Sequence, residues 1–159
     1  MKNVQTSRGG TRLMGRRAAR EIAMKLIYQL EIQKDSREEQ IRQTLEQESS
    51  NLTENDAKYI TDVVKGVYSN LEQIDKTIET YSKGWKLSRI SKVDLSILRL
   101  SIYEMHFRDD IPLNVSINEA VELAKNYSGV ESGSFVNGIL GKVSKVEELS
   151  SDKEKTKST

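Results

Sequence analysis

Residues 111–141 read IPLNVSINEAVELAKNYSGVESGSFVNGILG, and their pattern decides the fold. Pro112 cannot continue a helix arriving from Phe107. Ser116 with Glu119 three residues later predicts a capping box. Ile117, Ala120, Val121, Ala124 and Tyr127 then recur on one helical face. Ser128-Gly129 ends that helix, and a Gly/Ser loop follows. Ser132 or Ser134 caps the next helix, whose stripe is Val136, Ile139, Val143 and Val146. Two amphipathic helices on a short connection predict antiparallel neighbours in an all-α domain.

Upstream the same period continues. Ser88 caps a helix from Arg89 to about Phe107 that is apolar on two sides. Ile90, Val93, Ile97 and Leu100 form one stripe; Leu95, Leu98, Ile102 and Met105 form another. A helix apolar on two sides is buried on two sides, so this is the central helix. Gly84 and Trp85 mark the turn before it. Thr53 and Asp56 form a capping box ahead of Ala57, Ile60, Val63, Val64, Val67, Leu71, Ile74 and Ile78. Gly66 or Asn70 divides that long run in two. Ser36 caps a mostly polar helix with Ile41 and Leu45 as its apolar contacts. In the first helix Ala19, Ala23, Leu26, Ile27 and Leu30 share a face, while Lys25 and Tyr28 point away. The expected fold is all-α, with six to seven helices in two small bundles sharing the central helix.

A chain of 159 residues supports one domain with tails. Residues 1–14 are expected to be a disordered basic extension, 15–149 the helical domain, and 150–159 a disordered polar tail. There is no Cys, which excludes disulfides, thiolate metal sites and a cysteine nucleophile. A single His106 excludes multi-histidine metal sites; its place near a helix C-terminus suits the helix dipole. No apolar run reaches membrane-spanning length and no signal-peptide core opens the chain. The expectation is a cytoplasmic protein without a membrane partner, a cofactor or a bound metal. Enzyme motifs are nearly absent. Residues Gly138 to Val143 have the wrong spacing for a phosphate loop, and their two glycines read as close helix crossings.

Net charge is only +1, but its distribution is uneven. Lys2, Arg8, Arg12, Arg16, Arg17 and Arg20 fall in the first twenty residues, with no acid among them. Arg16, Arg17 and Arg20 lie at the entry of the first helix. Their guanidinium forks match phosphate and can stack on bases. Tyr28 and Phe135 are candidate stacking platforms, although helical phase puts Phe135 near the Ile139/Val143 core face. Asp94 falls between the two stripes of the central helix. A lone buried carboxylate is costly, so Asp94 is either a structural ion pair or a partner contact.

Several blocks resemble the NusB family of bacterial transcription antitermination factors. The first is Arg16-Arg17-Ala18-Ala19-Arg20-Glu21 with Ala23 and Ile27-Tyr28. A middle block runs from Trp85 to Ile90 and on through Asp94, Ile97-Leu98-Arg99-Leu100 and Tyr103-Glu104. Two further blocks are Ile117 to Lys125 and Phe135 to Leu140. The likeness covers about Gly15 to Leu149 in order. It implies an all-helical RNA-binding domain of two small bundles. It also implies a protein partner, NusE, which doubles as a small-subunit ribosomal protein. The pair would bind boxA RNA within the RNA polymerase antitermination complex and support transcription of ribosomal RNA operons. By resemblance the RNA surface includes Arg16, Arg17, Arg20, Glu131 and Phe135, and the NusE surface Tyr28 and Asp94. Ala18 interrupts the basic cluster, and an extra basic segment precedes it. Two alternatives remain at this level: a helical scaffold that only dimerises, and an accessory domain related to ribosomal RNA methyltransferases.

Overall fold

The computed structural model describes residues 15–158, with side chains over 15–150. The basic extension expected over residues 1–14 lies outside the described residues. Among those described there are seven α-helices and no strand: α1 Arg16–Ile32, α2 Arg37–Gln47, α3 Glu54–Ser69, α4 Leu71–Tyr81, α5 Lys92–Phe107, α6 Leu113–Ser128 and α7 Val130–Ser158. This is the all-α fold that the periodicity predicts. No described helix is long and apolar enough to cross a membrane. The chain separates into two compact units, dividing after Lys65 within α3.

In the first unit, Ala19, Ala23, Leu26, Ile27 and Leu30 of α1 are buried as their spacing predicts. Ser36 precedes α2 as expected but does not cap it through its side chain. It stands at the N-cap position, where its carbonyl accepts from Gln40 N at 2.9 Å, but at a left-handed φ of 58° its hydroxyl makes no cap hydrogen bond. Gln40 closes the corner instead. Its Nε2 donates to Asp35 O at 2.8 Å and Gln33 O at 3.2 Å, and its Oε1 accepts from Gln29 Nε2 at 2.7 Å. A buried amide thus satisfies carbonyls that a helix end leaves open. At the start of α3, Thr53 Oγ1 accepts from Asp56 N at 3.0 Å. Only this half of the expected capping box closes; the Asp56 carboxylate turns to Arg16 through Oδ1.

In the second unit, the break between α3 and α4 falls at Asn70, whose Nδ2 donates to Gly66 O at 2.8 Å. Gly66 has a packing reason: a Cβ there would lie 2.2 Å from the Tyr103 ring. The central helix begins later than the sequence suggests. Leu87–Arg89 forms one 3₁₀ turn and Ile90 is extended. Ile90 is buried, so the chain bends there to sink that side chain before α5 starts. Ser91, not Ser88, is the cap, its Oγ accepting from Asp94 N at 3.1 Å.

From Asp94 to Met105 every residue of α5 is buried. Within its unit α5 packs on α4, α6 and α7. Truncating a fully buried leucine such as Leu98 would cost about 2–5 kcal/mol. Several polar residues in the middle of α5 are matched. Arg99 grips Asp75 through two 2.8 Å bonds, the bidentate geometry that suits a guanidinium. Glu104 Oε1 accepts from Ser116 Oγ at 2.7 Å, and Ser101 Oγ donates to Ser116 O at 3.2 Å.

That last contact corrects the capping box expected at Ser116. Pro112 is the N-cap of α6, and Ser116 lies inside the helix, buried. A fixed φ pre-set for the helix favours Pro at this boundary. The Gly/Ser loop is also absent. Gly129, at φ 110°, reverses the chain in one residue, and α7 starts at Val130. Its N–H donates to Ala124 O and Lys125 O, both at 3.1 Å, so the end of α6 needs no longer connection. Neither Ser132 nor Ser134 is a cap. The backbone of α7 continues to Ser158, whereas the sequence reading ends the helical domain at 149.

Candidate nucleic-acid interface

Three places carry the residues singled out above: the entry of α1, the Asp94 region, and the surface around Phe135. The α1 entry lies in the first unit. Arg16 Nε donates to Asp56 Oδ1 at 2.8 Å. Its guanidinium also stands 4.3 Å from the Tyr59 ring centre, and that of Arg20 stands 5.7 Å from it. Arg20 is only 5 % exposed and Tyr59 only 1 %. Arg20 is therefore not the open phosphate fork that charge pattern alone suggests. Its position one residue after Ala19 and three before Ala23, both buried, places it beside the apolar stripe. Arg17 is exposed and Arg16 half-buried. Tyr28, farther along α1, is half-buried rather than fully outward.

Asp94 is 7 % exposed, and its carboxylate meets a hydroxyl rather than a base. Ser132 Oγ donates to its Oδ2 at 3.1 Å. Its Oδ1 is buried without a hydrogen-bond partner. Burial pushes the Asp94 carboxyl above its ordinary range, opposed by the hydrogen bonds of Ser132 and Ser91. Its place in the first turn of α5 favours a negative charge there. Of the two alternatives for Asp94, the structural ion pair is not what holds it; the donor is the Ser132 hydroxyl. Glu131 is exposed in the first turn of α7 and lines the same depression as Asp94 and Ser132.

Phe135 is half-buried. It meets the Trp85 ring edge-on, with centroids 6.1 Å apart and planes at 66°, a favourable aromatic arrangement. Trp85 is 52 % exposed and forms a wall of three adjoining depressions of about 220, 300 and 330 Å³. The turn that carries it is tied: Trp85 N–H donates to Ser82 O at 3.2 Å, and Ser82 Oγ donates to Trp85 O at 2.7 Å. Lys83, Lys86, Arg89 and Lys142 border these depressions.

Sequence reasoning treated Trp85 as turn punctuation and passed over the four basic residues. A signal was present. The chain's one Trp stands in Lys83-Gly84-Trp85-Lys86, and a large aromatic among cations in a turn is poorly placed for a core. The glycines of α7 need a different reading as well. A Cβ at Gly138 or Gly141 would meet nothing within 4 Å, so neither marks a close helix crossing. In an exposed helical position Gly is less favourable than Ala by about 1 kcal/mol. His106, the other residue considered for chemistry, sits 3.1 Å from Glu147 through its Nε2.

Known proteins match this chain in sequence and in fold. The NusB family model matches residues 17–145. Transcription antitermination protein NusB of Acetivibrio thermocellus is 77 % identical over 139 residues, spanning 87 % of this chain and 94 % of that protein. The solved structure of T. maritima NusB matches with a TM-score of 0.76 at 36 % identity, covering 84 % of this chain and 92 % of the other. A structure of the antitermination factors NusB and NusE in complex with dsRNA has the same fold. Its TM-score is 0.74 at 24 % identity, over 82 % of this chain and 96 % of that one. With the helical order and a family match over most of its length, this chain belongs to the NusB family.

Proposed function

We propose that this protein is an RNA-binding transcription antitermination factor that takes up boxA RNA together with NusE, as part of the RNA polymerase antitermination complex, in the transcription of ribosomal RNA operons. The observation that carries the reading is the half-buried Phe135 set against the exposed Trp85 among basic side chains. Aromatic faces stack unpaired bases, and nearby cations bind the backbone. Family membership and the NusB of the same fold crystallised with NusE and RNA support the choice of partners.

Within this reading Arg17 and the outer side of Arg16 meet phosphates, while Arg20 braces the helix entry through Tyr59. Phe135 stacks on a base, and Glu131 accepts from base or sugar donors beside it. Tyr28 and Asp94 face NusE.

The test is a titration of labelled boxA RNA by fluorescence anisotropy, with and without NusE, over a range of salt. The expected result is binding that tightens with NusE and weakens linearly in log salt as counterions are released. Affinity no better than for a scrambled RNA, under both conditions, would overturn the reading.

A further inference from the structure

We propose that the depression lined by Trp85, Phe135 and Gly138 is a nucleobase pocket, with Trp85 as a second stacking surface and Gly138 as the open floor that admits the base. The inference rests on the RNA-binding reading above and adds a site to it. Three independent features of the second unit lead there.

Trp85 is the first. A ring of this size with half its surface in water gains little from its position in the fold. Its turn is nonetheless held by two hydrogen bonds to Ser82, which is itself buried. The backbone that carries the ring is held while the ring itself stands in solvent, an arrangement that suits a stacking platform. Its edge-on contact with Phe135 leaves the two rings as adjacent walls rather than as a closed stack.

Gly138 is the second. It lies on the exposed side of α7 and lines the depression with Trp85, Phe135 and Ser134. Nothing around it requires a glycine, since a Cβ there meets open space. A longer side chain at this position would occupy space in the depression that Gly138 lines. The missing side chain weakens the helix and keeps the depression open, and close approach of a ligand is the physical use of such a position.

Charge is the third. Lys83 and Lys142 edge the depression, and Lys86 and Arg89 continue the basic border around Trp85. An apolar peptide would favour an aliphatic rim. Cations around adjoining aromatic walls suit a phosphate backbone that delivers an unpaired base against them. The acids Glu131 and Asp94 are confined to the neighbouring depression on the Ser132 side, which leaves the lysine side for the backbone.

Trp85 is the chain's single tryptophan, so its own emission reports on the pocket. The experiment follows that emission and the anisotropy of labelled boxA RNA in one titration of the full chain. Quenching of Trp85 that saturates with the anisotropy is expected. Trp85→Ala should weaken binding roughly 5- to 100-fold, the range of a lost stacking contact, and Trp85→Phe should restore most of it. Gly138→Leu should bind as poorly as Trp85→Ala while melting at or above the wild-type temperature, which a purely structural role for Gly138 would not produce. Lys86→Gln with Lys142→Gln should lower the log–log salt slope by about 1.4 if each meets one phosphate of a single strand.

RNA that binds while Trp85 emission and the affinity of both Trp85→Ala and Gly138→Leu stay unchanged overturns the pocket and leaves the RNA function standing. Emission that responds to NusE alone assigns the surface to a protein and overturns it too. Absence of any RNA binding removes the pocket together with the function on which it rests.

Discussion

The guanidinium of Arg16 lies 4.3 Å from the centre of the Tyr59 ring, and that ring is almost wholly buried. The same side chain reaches Asp56 at 2.8 Å, and Arg20 lies over the same ring at 5.7 Å. The basic entry of α1 is thus partly a clasp onto α3. A cation over an aromatic face contributes about 0.5–1 kcal/mol when exposed and about 2 or more when desolvated. Arg20→Ala should therefore lower stability by about 1–3 kcal/mol in urea denaturation. Arg17→Ala, on the exposed side, should stay within about 0.5 kcal/mol and weaken RNA binding. Equal melting midpoints for the two variants would return Arg20 to the open surface that charge pattern suggests.

Asp94 links stability to pH. Burial raises its folded-state pKa above the ordinary carboxylate value. For a group shifted in this direction, ionisation opposes folding. Its contribution is full below the unfolded pKa and is lost as pH rises through the folded one. Asp94→Asn removes the charge and keeps the shape. The variant should be more stable than wild type at pH 7, and the gap should close as pH falls to about 4, where the unfolded Asp is half protonated. NusE affinity should fall in the same variant. A stability gap independent of pH would show that desolvation is not what Asp94 experiences.

Phe135 separates packing from recognition in one substitution. A fully buried Phe truncated to Ala costs about 3–5 kcal/mol, but this ring is half-buried and rests on Trp85. Phe135→Ala should lose less than about 2 kcal/mol of stability, and about 1–3 kcal/mol of RNA binding, as for a lost base stack. Thermal melting and anisotropy measure the two. A severe loss of stability with intact RNA affinity in the folded fraction would place the ring in the core.

Gly66 tests the packing of Tyr103 against α3. A Cβ added there falls 2.2 Å from the Tyr103 ring, far inside contact distance. Gly→Ala in a helix ordinarily gains about 1 kcal/mol. Here Gly66→Ala should lose about 2 kcal/mol or more, because overpacking outweighs that gain. Tyr103→Leu in the same chain should recover part of the loss. A variant as stable as wild type in chemical denaturation would mean that α3 and the ring can move apart freely.

The helices and their buried faces were legible in the residues, because a period of 3.6 is a local property. Ala19, Ala23, Leu26, Ile27 and Leu30 are buried as their spacing requires, and α5 is buried all round from Asp94 to Met105, whereas Tyr127 and Val146, on faces read as apolar, are exposed. Helix ends were less legible. Ser36, Ser88 and Ser116 each offer a hydroxyl to a cap, and none of them makes one. Which serine caps depends on where the chain must bend, and that is set by what has to be buried, such as Ile90, or by where a positive φ permits reversal, as at Gly129. The site divides in the same way. Sequence alone determined that cations gather at the start of α1 and that Phe135 follows a glycine-rich stretch. Only tertiary structure decided that Arg20 is spent on Tyr59, that Ser132 answers Asp94, and that Trp85 stands edge-on to Phe135 beside an open Gly138. Such pairings join residues up to about fifty positions apart, and no local period encodes them.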